Sequence, residues 1–288
     1  MKAMILAAGL GTRLRPLTDT RPKALVELNN RTLLEITITR LKSFGVTEAI
    51  INVHHFADMV IDYLKSKNNF NMRLEISRED HQLLDTGGGL KKAAWFFQEN
   101  PSHLDEPFLL HNVDVISNID LNAMLQFQKE NHALATLAVQ SRPSSRQLLF
   151  NDQLQLSGRH FSGQDSVILS EAKNPGSTPT VSSTDGTAKT SVHSPLATSH
   201  SFTPSLEGPL PQPKKLPLLH PAAFSGIHVI SARLLPLLTE STPAFSIIDS
   251  YLRLASQGEK ILAFRHDNSY WRDLGKPADL AQAALDMK

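Results

Sequence analysis

Two glycines and two cations near the start of the chain form the pattern best suited to chemistry. An apolar run at residues 2–8 is followed by Gly9-Leu10-Gly11-Thr12-Arg13-Leu14-Arg15-Pro16-Leu17-Thr18, and Lys23 comes ten residues after Arg13. Glycines directly after a buried strand let backbone N–H groups approach a phosphate closely. In an open α/β sheet the carboxyl ends of the strands are where ligands bind. Two familiar phosphate motifs fail. Leu14 occupies the last glycine position of a dinucleotide fingerprint, and no Gly-Lys-Ser/Thr follows at Walker spacing. What remains is a loop with Arg13 and Lys23 close by, which suits clamping a polyphosphate while charge moves.

Other side chains invite weaker readings. Asp114 and Asp273 each follow a strand-like run, where a lone aspartate commonly caps a helix or shapes a turn. His54 and His55 are adjacent, so on a strand they point to opposite faces and make a poor metal pair. His111 reads as a strand-end histidine, Trp95-Phe96-Phe97 as helix core, and Lys91-Lys92 as a solvated helix face.

The elements that must position these residues alternate. Strands are expected at residues 2–8, 48–53, 72–76, 108–111 and 133–139, with helices at 32–44, 57–65, 90–98 and 121–131. Gly45 is placed to end the first helix. A hairpin is expected from 148–150 and 154–156 around Asn151-Asp152. Further on, strands are expected at 224–230 and 261–264, and helices at 246–257, opened by Ser246, and 277–287, with Pro277 in its first turn. Strands alternating with helices imply an α/β protein with a parallel sheet covered on both faces.

Composition changes between Ser162 and Pro217, where 11 Ser, 7 Thr and 8 Pro make up 26 of 56 residues. So little apolar surface cannot offset ordering entropy, and a disordered insert is expected over 162–217. Elsewhere composition is that of an ordinary globular protein. The chain carries 29 Lys+Arg against 28 Asp+Glu, which argues against nucleic-acid binding by bulk charge. With no cysteine, disulfides, thiolate metal sites and cysteine nucleophiles are excluded. No signal-like or membrane-spanning apolar stretch is read from the sequence, so no membrane partner is expected and the cytoplasm is the expected compartment.

The glycine string, followed by Pro22-Lys23-Ala24-Leu25, resembles the signature of the sugar-1-phosphate nucleotidyltransferases, the NDP-sugar pyrophosphorylases. Leu84-Asp85-Thr86-Gly87-Gly88-Gly89, Phe108-Leu109-Leu110-His111-Asn112-Val113-Asp114, Phe224-Ser225-Gly226-Ile227 and Trp271-Arg272-Asp273-Leu274-Gly275 agree in order and rough spacing. The short uridylyl- and guanylyl-transferring members are similar in kind. The resemblance implies a Rossmann-like three-layer sandwich with a mostly parallel mixed sheet, the nucleotidyltransferase fold, formed by 1–161 and 218–288 as a single domain around the insert. It implies Mg²⁺-dependent transfer of a nucleotidyl group from an NTP, UTP or GTP foremost, to a sugar 1-phosphate, making a precursor for cell-wall or polysaccharide synthesis. Arg13 and Lys23 would be catalytic, holding the leaving pyrophosphate and neutralising the α-phosphate. Ala8, Gly9, Gly11, Thr12, Gly87 and Gly88 would bind nucleotide, Asn112 and Gly226 the sugar, and Asp114 and Asp273 the metal. The chain would act as a monomer or homo-oligomer.

Two departures stand out. Val113 occupies the position before Asp114 where many relatives have glycine, and the stretch where larger relatives carry a sugar-phosphate-binding lysine falls in the insert. A catalytically weak nucleotide-sugar-binding subunit on the same fold is therefore the second reading. An NAD-dependent dehydrogenase is disfavoured by the failed fingerprint.

Overall fold

The computed structural model describes residues 1–99, 106–161, 167–169 and 218–287. The first strand, β1 (Lys2–Leu6), leads through the glycine loop to a short hairpin of β2 (Glu27–Leu28) and β3 (Arg31–Thr32). Then follow α1 (Leu33–Ser43), β4 (Glu48–Val53), α2 (Ala57–Ser66), β5 (Arg73–Arg78), α3 (Asp85–Lys92), α4 (Ala94–Gln98), β6 (Pro107–Asn112), β7 (Val115–Ser117), α5 (Leu121–Asn131) and β8 (Ala135–Gln140). The remainder is β9 (Arg146–Phe150), β10 (Leu156–Phe161), β11 (Val167–Leu169), β12 (His220–Ser231), α6 (Ile247–Ser256), β13 (Ile261–Arg265), β14 (Trp271–Asp273) and α7 (Pro277–Asp286).

Among the described residues, ten strands form one mixed sheet. The end that runs β6-β1-β4-β5 is parallel, with β5 at the edge. The long β12 runs antiparallel to β6, β8 and β9, while β13 lies parallel to β8. β1 shows why this sheet needs helices on both faces. Ala3 and Ile5 enter one apolar cluster, with residues of α1, α2, α5 and α7. Met4 enters the other, with residues of α3, α4 and α6. Three layers result, with Ala3, Met4 and Ile5 making the middle of β1 apolar on both faces.

Helix ends are written locally. The Thr32 side chain accepts from the Glu35 amide to open α1, Asp120 accepts from Asn122 and Ala123 to open α5, and Ser246 accepts from Ile248 to open α6.

Three expectations are corrected. The helix expected at 90–98 begins instead at Asp85 and breaks at Ala93, giving α3 and α4. The Gly87 and Gly88 amides, unpaired donors in the first turn of a helix, are capped by the Phe245 carbonyl at 2.9 and 3.3 Å. A contact distant in sequence thus compensates the poor helix propensity of three glycines. Trp95 is exposed while Phe96 and Phe97 are buried, so only two of the three aromatics are core. The hairpin strands are longer and further apart, because Asn151 Oδ1 accepts from the amides of Gln153 and Gln155 and shapes a wider turn. The expected insert, 162–217, lies outside the described residues except for 167–169, which pair antiparallel with β10.

Candidate active site

The glycine loop leaves the carboxyl end of β1 with its first amide already engaged. Ala7 N–H donates to Asn52 Oδ1 on β4 at 2.8 Å, and Asn52 Nδ2 donates to Glu79 at 2.7 Å. The second Glu79 oxygen accepts from the Leu84 amide at 2.8 Å. Asn52 and Glu79 are buried, so a polar chain ties the first loop to the entrance of α3. Sequence reasoning missed both residues. The available signal was a polar Asn52 inside the apolar strand β4; Glu79, one residue past β5, carried none.

Gly11 has φ +65° and opens a 3₁₀ turn, Thr12–Leu14. Leu14 N–H and the Thr18 hydroxyl both donate to its carbonyl, at 2.8 and 2.9 Å. A Cβ at Gly11 would lie 2.9 Å from the Thr18 methyl and 3.1 Å from Lys23 Cβ. The loop is therefore folded against the segment that carries Lys23. Ala8 is buried at its base, whereas Gly9, Thr12 and Arg13 are exposed.

Four charged residues converge beyond this loop. Lys23 is buried and ion-paired with Asp114, which sits in the turn between β6 and β7. Asp273 ends β14, directly opposite Val115 in the β7–β14 ribbon. Burial, and then the neighbouring Asp114 charge, push the Asp273 carboxyl above the usual carboxylate range. Lys23, the Gly275 amide and Arg13 pull the other way, and that amide donates to Asp273 at 2.6 Å. A Cβ on Gly275 would meet Arg13 Nη2 at 2.6 Å and Asp273 Oδ1 at 2.7 Å, so Arg13 and Asp273 share its open face. Arg13, Lys23, Asp114 and Asp273 thus form one cluster, and Gly275 belongs to it.

Asn112, at the end of β6, faces Gly226 on β12. A Cβ on Gly226 would sit 2.8 Å from Asn112 Nδ2 and 3.0 Å from Val115, and the residue holds φ +74°. Gly226→Ala is expected to cost about 1–3 kcal/mol, the usual range for a non-glycine residue in this region. A melting curve indistinguishable from the parent would show that the bulge relaxes freely. Val113 does not crowd this space. Its side chain is in the apolar cluster with α1, and its carbonyl accepts from Thr37.

At Gly87 and Gly88 the structure shows contacts within the chain. Both amides are taken by Phe245, and added Cβ atoms would lie 2.4 Å from the Phe245 ring and 2.1 Å from the Pro243 carbonyl. They let α3 seat against the segment before α6. His54 bonds the Glu79 carbonyl, and the His55 ring lies tilted against Phe56.

Among the described residues no group of three or more His, Asp or Glu side chains could hold a metal. Asp114 and Asp273 are the carboxylate pair that could share a cation whose other ligands come from substrate and water. Chemically, the cluster offers hard oxygen ligands flanked by two cations, an arrangement for phosphate rather than for proton abstraction.

This geometry has relatives. Residues 2–148 match the model of the nucleotidyl transferase family. The N-acetylmuramate alpha-1-phosphate uridylyltransferase of Caulobacter vibrioides is 44% identical over 114 residues, covering 38% of this chain and 47% of that protein. A mannose-1-phosphate guanyltransferase of Aspergillus oryzae is 36% identical over 140 residues, covering 48% and 37%. The chain therefore spans less than half the length of these two curated relatives. Among solved structures, HddC from Yersinia pseudotuberculosis complexed with GMP-PN superposes over 100% of this chain and 99% of its own, with TM-score 0.66 and 18% identity. A putative glucose-1-phosphate thymidylyltransferase from Bacillus anthracis gives TM-score 0.69 at 15% identity, over 99% and 94% of the two chains. Those two likenesses speak to the fold, while the family model covers the glycine loop, Lys23 and Asp114 together, and on that match the chain belongs to the nucleotidyl transferase family.

Proposed function

We propose that this chain transfers a nucleotidyl group from a nucleoside triphosphate to a sugar 1-phosphate, releasing pyrophosphate. The observation that carries this reading is the convergence of Arg13, Lys23, Asp114 and Asp273 beside the glycine loop. A sugar-phosphate oxygen attacks the α-phosphorus in line. The new O–P bond forms as the bond to the β-phosphate oxygen breaks, and both electrons of that bond leave with pyrophosphate. The nucleophile is already an anion, so no general base is needed, and positioning with charge neutralisation carries the rate.

In this reading Arg13 holds the departing pyrophosphate and Lys23 neutralises the α-phosphate. Lys23 must loosen its grip on Asp114 to do so, and the triphosphate supplies the replacement anion. Gly11 and Thr12 lend amides to the phosphates. Asn112 and Gly226 form the sugar side. The carboxylate pair fits Mg²⁺, which favours one or two carboxylates completed by phosphate oxygens and water over an all-protein cage. When bound between Asp114 and Asp273, Mg²⁺ would supply neutralisation of the triphosphate charge. UTP and GTP are the preferred donors in this proposal, following the names of the sequence relatives. No helix among the described residues is long and apolar enough to cross a membrane. The cytoplasm, which supplies nucleoside triphosphates, is the proposed setting.

The test is pyrophosphate release by the purified chain with Mg²⁺, over UTP, GTP, CTP and dTTP against glucose, mannose and N-acetylmuramate 1-phosphates. One strongly preferred pair is expected. No release from any pair, with nucleotide still bound, would replace the transferase with a nucleotide-sugar-binding subunit.

A further inference from the structure

Arg142 lies in the link between β8 and β9, outside every motif considered above. Its guanidinium carbon sits 3.7 Å from the centre of the Trp271 ring, and Trp271 lies two residues before Asp273 on β14. Its Nη2 donates to the Phe224 carbonyl at 2.8 Å, and the Trp271 indole N–H donates to the Ser225 carbonyl at 2.7 Å. Phe224 and Ser225 immediately precede Gly226, where the pairing of β12 with β8 shifts register. The guanidinium is thus pinned between the bulge that carries Gly226 and the ribbon that carries Asp273.

Its own bonding is incomplete. Nε is buried and has no partner, and no carboxylate forms an ion pair with Arg142 among the described residues. Arg73, Arg78, Arg253, Arg265 and Arg272 each have a carboxylate partner. A half-buried guanidinium without a carboxylate partner is costly to hold, and an anion meeting its terminal N–H groups would offset that cost. Asp273 is close enough to act on its charge without bonding it.

The proposed reaction needs such a cation. Two aspartates repel an incoming sugar phosphate, and Arg13 and Lys23 lie with the aspartates and the glycine loop. Arginine also suits phosphate better than lysine does, because its planar fork donates two parallel hydrogen bonds. We propose that Arg142 grips the phosphate of the sugar 1-phosphate, with Trp271 and the Phe224 carbonyl fixing the plane of its guanidinium. This rests on the transferase reading and supplies it with a sugar-phosphate contact from the β8–β9 link.

The experiment compares the parent full-length chain with Arg142→Met, which keeps an apolar stem against Trp271, and with Arg142→Lys. Using the pair selected by the nucleotide grid, Arg142→Met should raise KM for the sugar 1-phosphate about 10- to 100-fold, the loss of one charged hydrogen-bonding partner. KM for the nucleotide should stay within about twofold of the parent, the melting temperature should hold, and Arg142→Lys should recover part of the loss. Calorimetric binding of glucose 1-phosphate, or of the sugar phosphate the grid selects, should weaken in the same order. Unchanged KM and binding in Arg142→Met, equal losses for both substrates, or no sugar-phosphate binding even by the parent, would each overturn the inference. Turnover by the parent with an unaffected Arg142→Met leaves the transferase standing without this contact. A parent that binds the sugar phosphate but releases no pyrophosphate, with that binding lost in Arg142→Met, leaves the contact standing without the transferase.

Discussion

Asp114→Asn is expected to lower Mg²⁺-supported pyrophosphate release by about 100- to 1,000-fold, the scale of losing one preorganised electrostatic contact at a reacting phosphate. The fold should survive the change. Two carboxylates and Lys23 share one small, mostly buried space, and the Asp114 charge is among the influences that push the Asp273 carboxyl up. Removing the Asp114 charge relieves that repulsion and leaves Lys23 to pair with Asp273. Activity should therefore collapse while the melting temperature holds or rises slightly. Steady-state rates and a melting curve on the same preparation check both halves. Near-parental turnover would remove Asp114 from the site, and a large fall in melting temperature would recast it as a structural ion-pair partner.

Acidification should destabilise the protein well above the pH at which most carboxylates titrate. His111 on β6 and His228 on β12 are both buried in the sheet. Burial pushes His111 down to about 4 and His228 down to about 3. Smaller influences follow: the Asn112 carbonyl and Asp114 raise His111 while Arg40 lowers it, and His111 further lowers His228. In the unfolded chain both would titrate near 6.5. The folded state therefore binds fewer protons than the unfolded state below that value, and stability falls as pH falls. From pH 6.5 to pH 5 each histidine withdraws about 2 kcal/mol. Asp273 opposes them, since its raised carboxyl makes acidification favourable to the fold, but it is one group in a lower window. Between pH 7 and pH 5 the melting temperature should drop on the order of 10 °C. His228→Leu should lower stability at neutral pH, because Tyr251 loses the partner its hydroxyl meets at 2.8 Å, yet flatten the slope. A parent curve flat from pH 7 to pH 5 would show that these histidines protonate without unfolding.

The parts of the molecule legible in its residues are those whose causes are local. The apolar face and Asp120 cap of α5 define Leu121–Asn131 without help from elsewhere, and the structure has those limits. The glycine string, Arg13 and Lys23 are read from one stretch of chain, and the structure places Arg13 and Lys23 beside Asp273 and Asp114. What stayed hidden depends on residues far apart. Nothing near Gly87 says that Phe245 will cap its amide, so three glycines look like a loop before a helix when they are its first turns. Val115–Ser117 and Trp271–Asp273 are each too short to read as strands, and their pairing appears only once α5 and the sheet fold the chain back. Asn52 looks like a polar fault in buried β4, and Glu79 like a loop carboxylate, until they are seen bonding each other. Arg142 looks like a surface cation until Trp271 and Phe224 enclose it.

The β7–β14 ribbon has a consequence for descent. Asp114 precedes Val115, Asp273 faces Val115, and the Leu274 amide donates to the Asp114 carbonyl at 2.8 Å. The gap between the two carboxylates is therefore written in main-chain hydrogen bonds, which almost any residue type can make. In the proposed reading, the side chains around the pocket can change, and with them the sugar or base accepted, while the backbone that sets this gap stays the same.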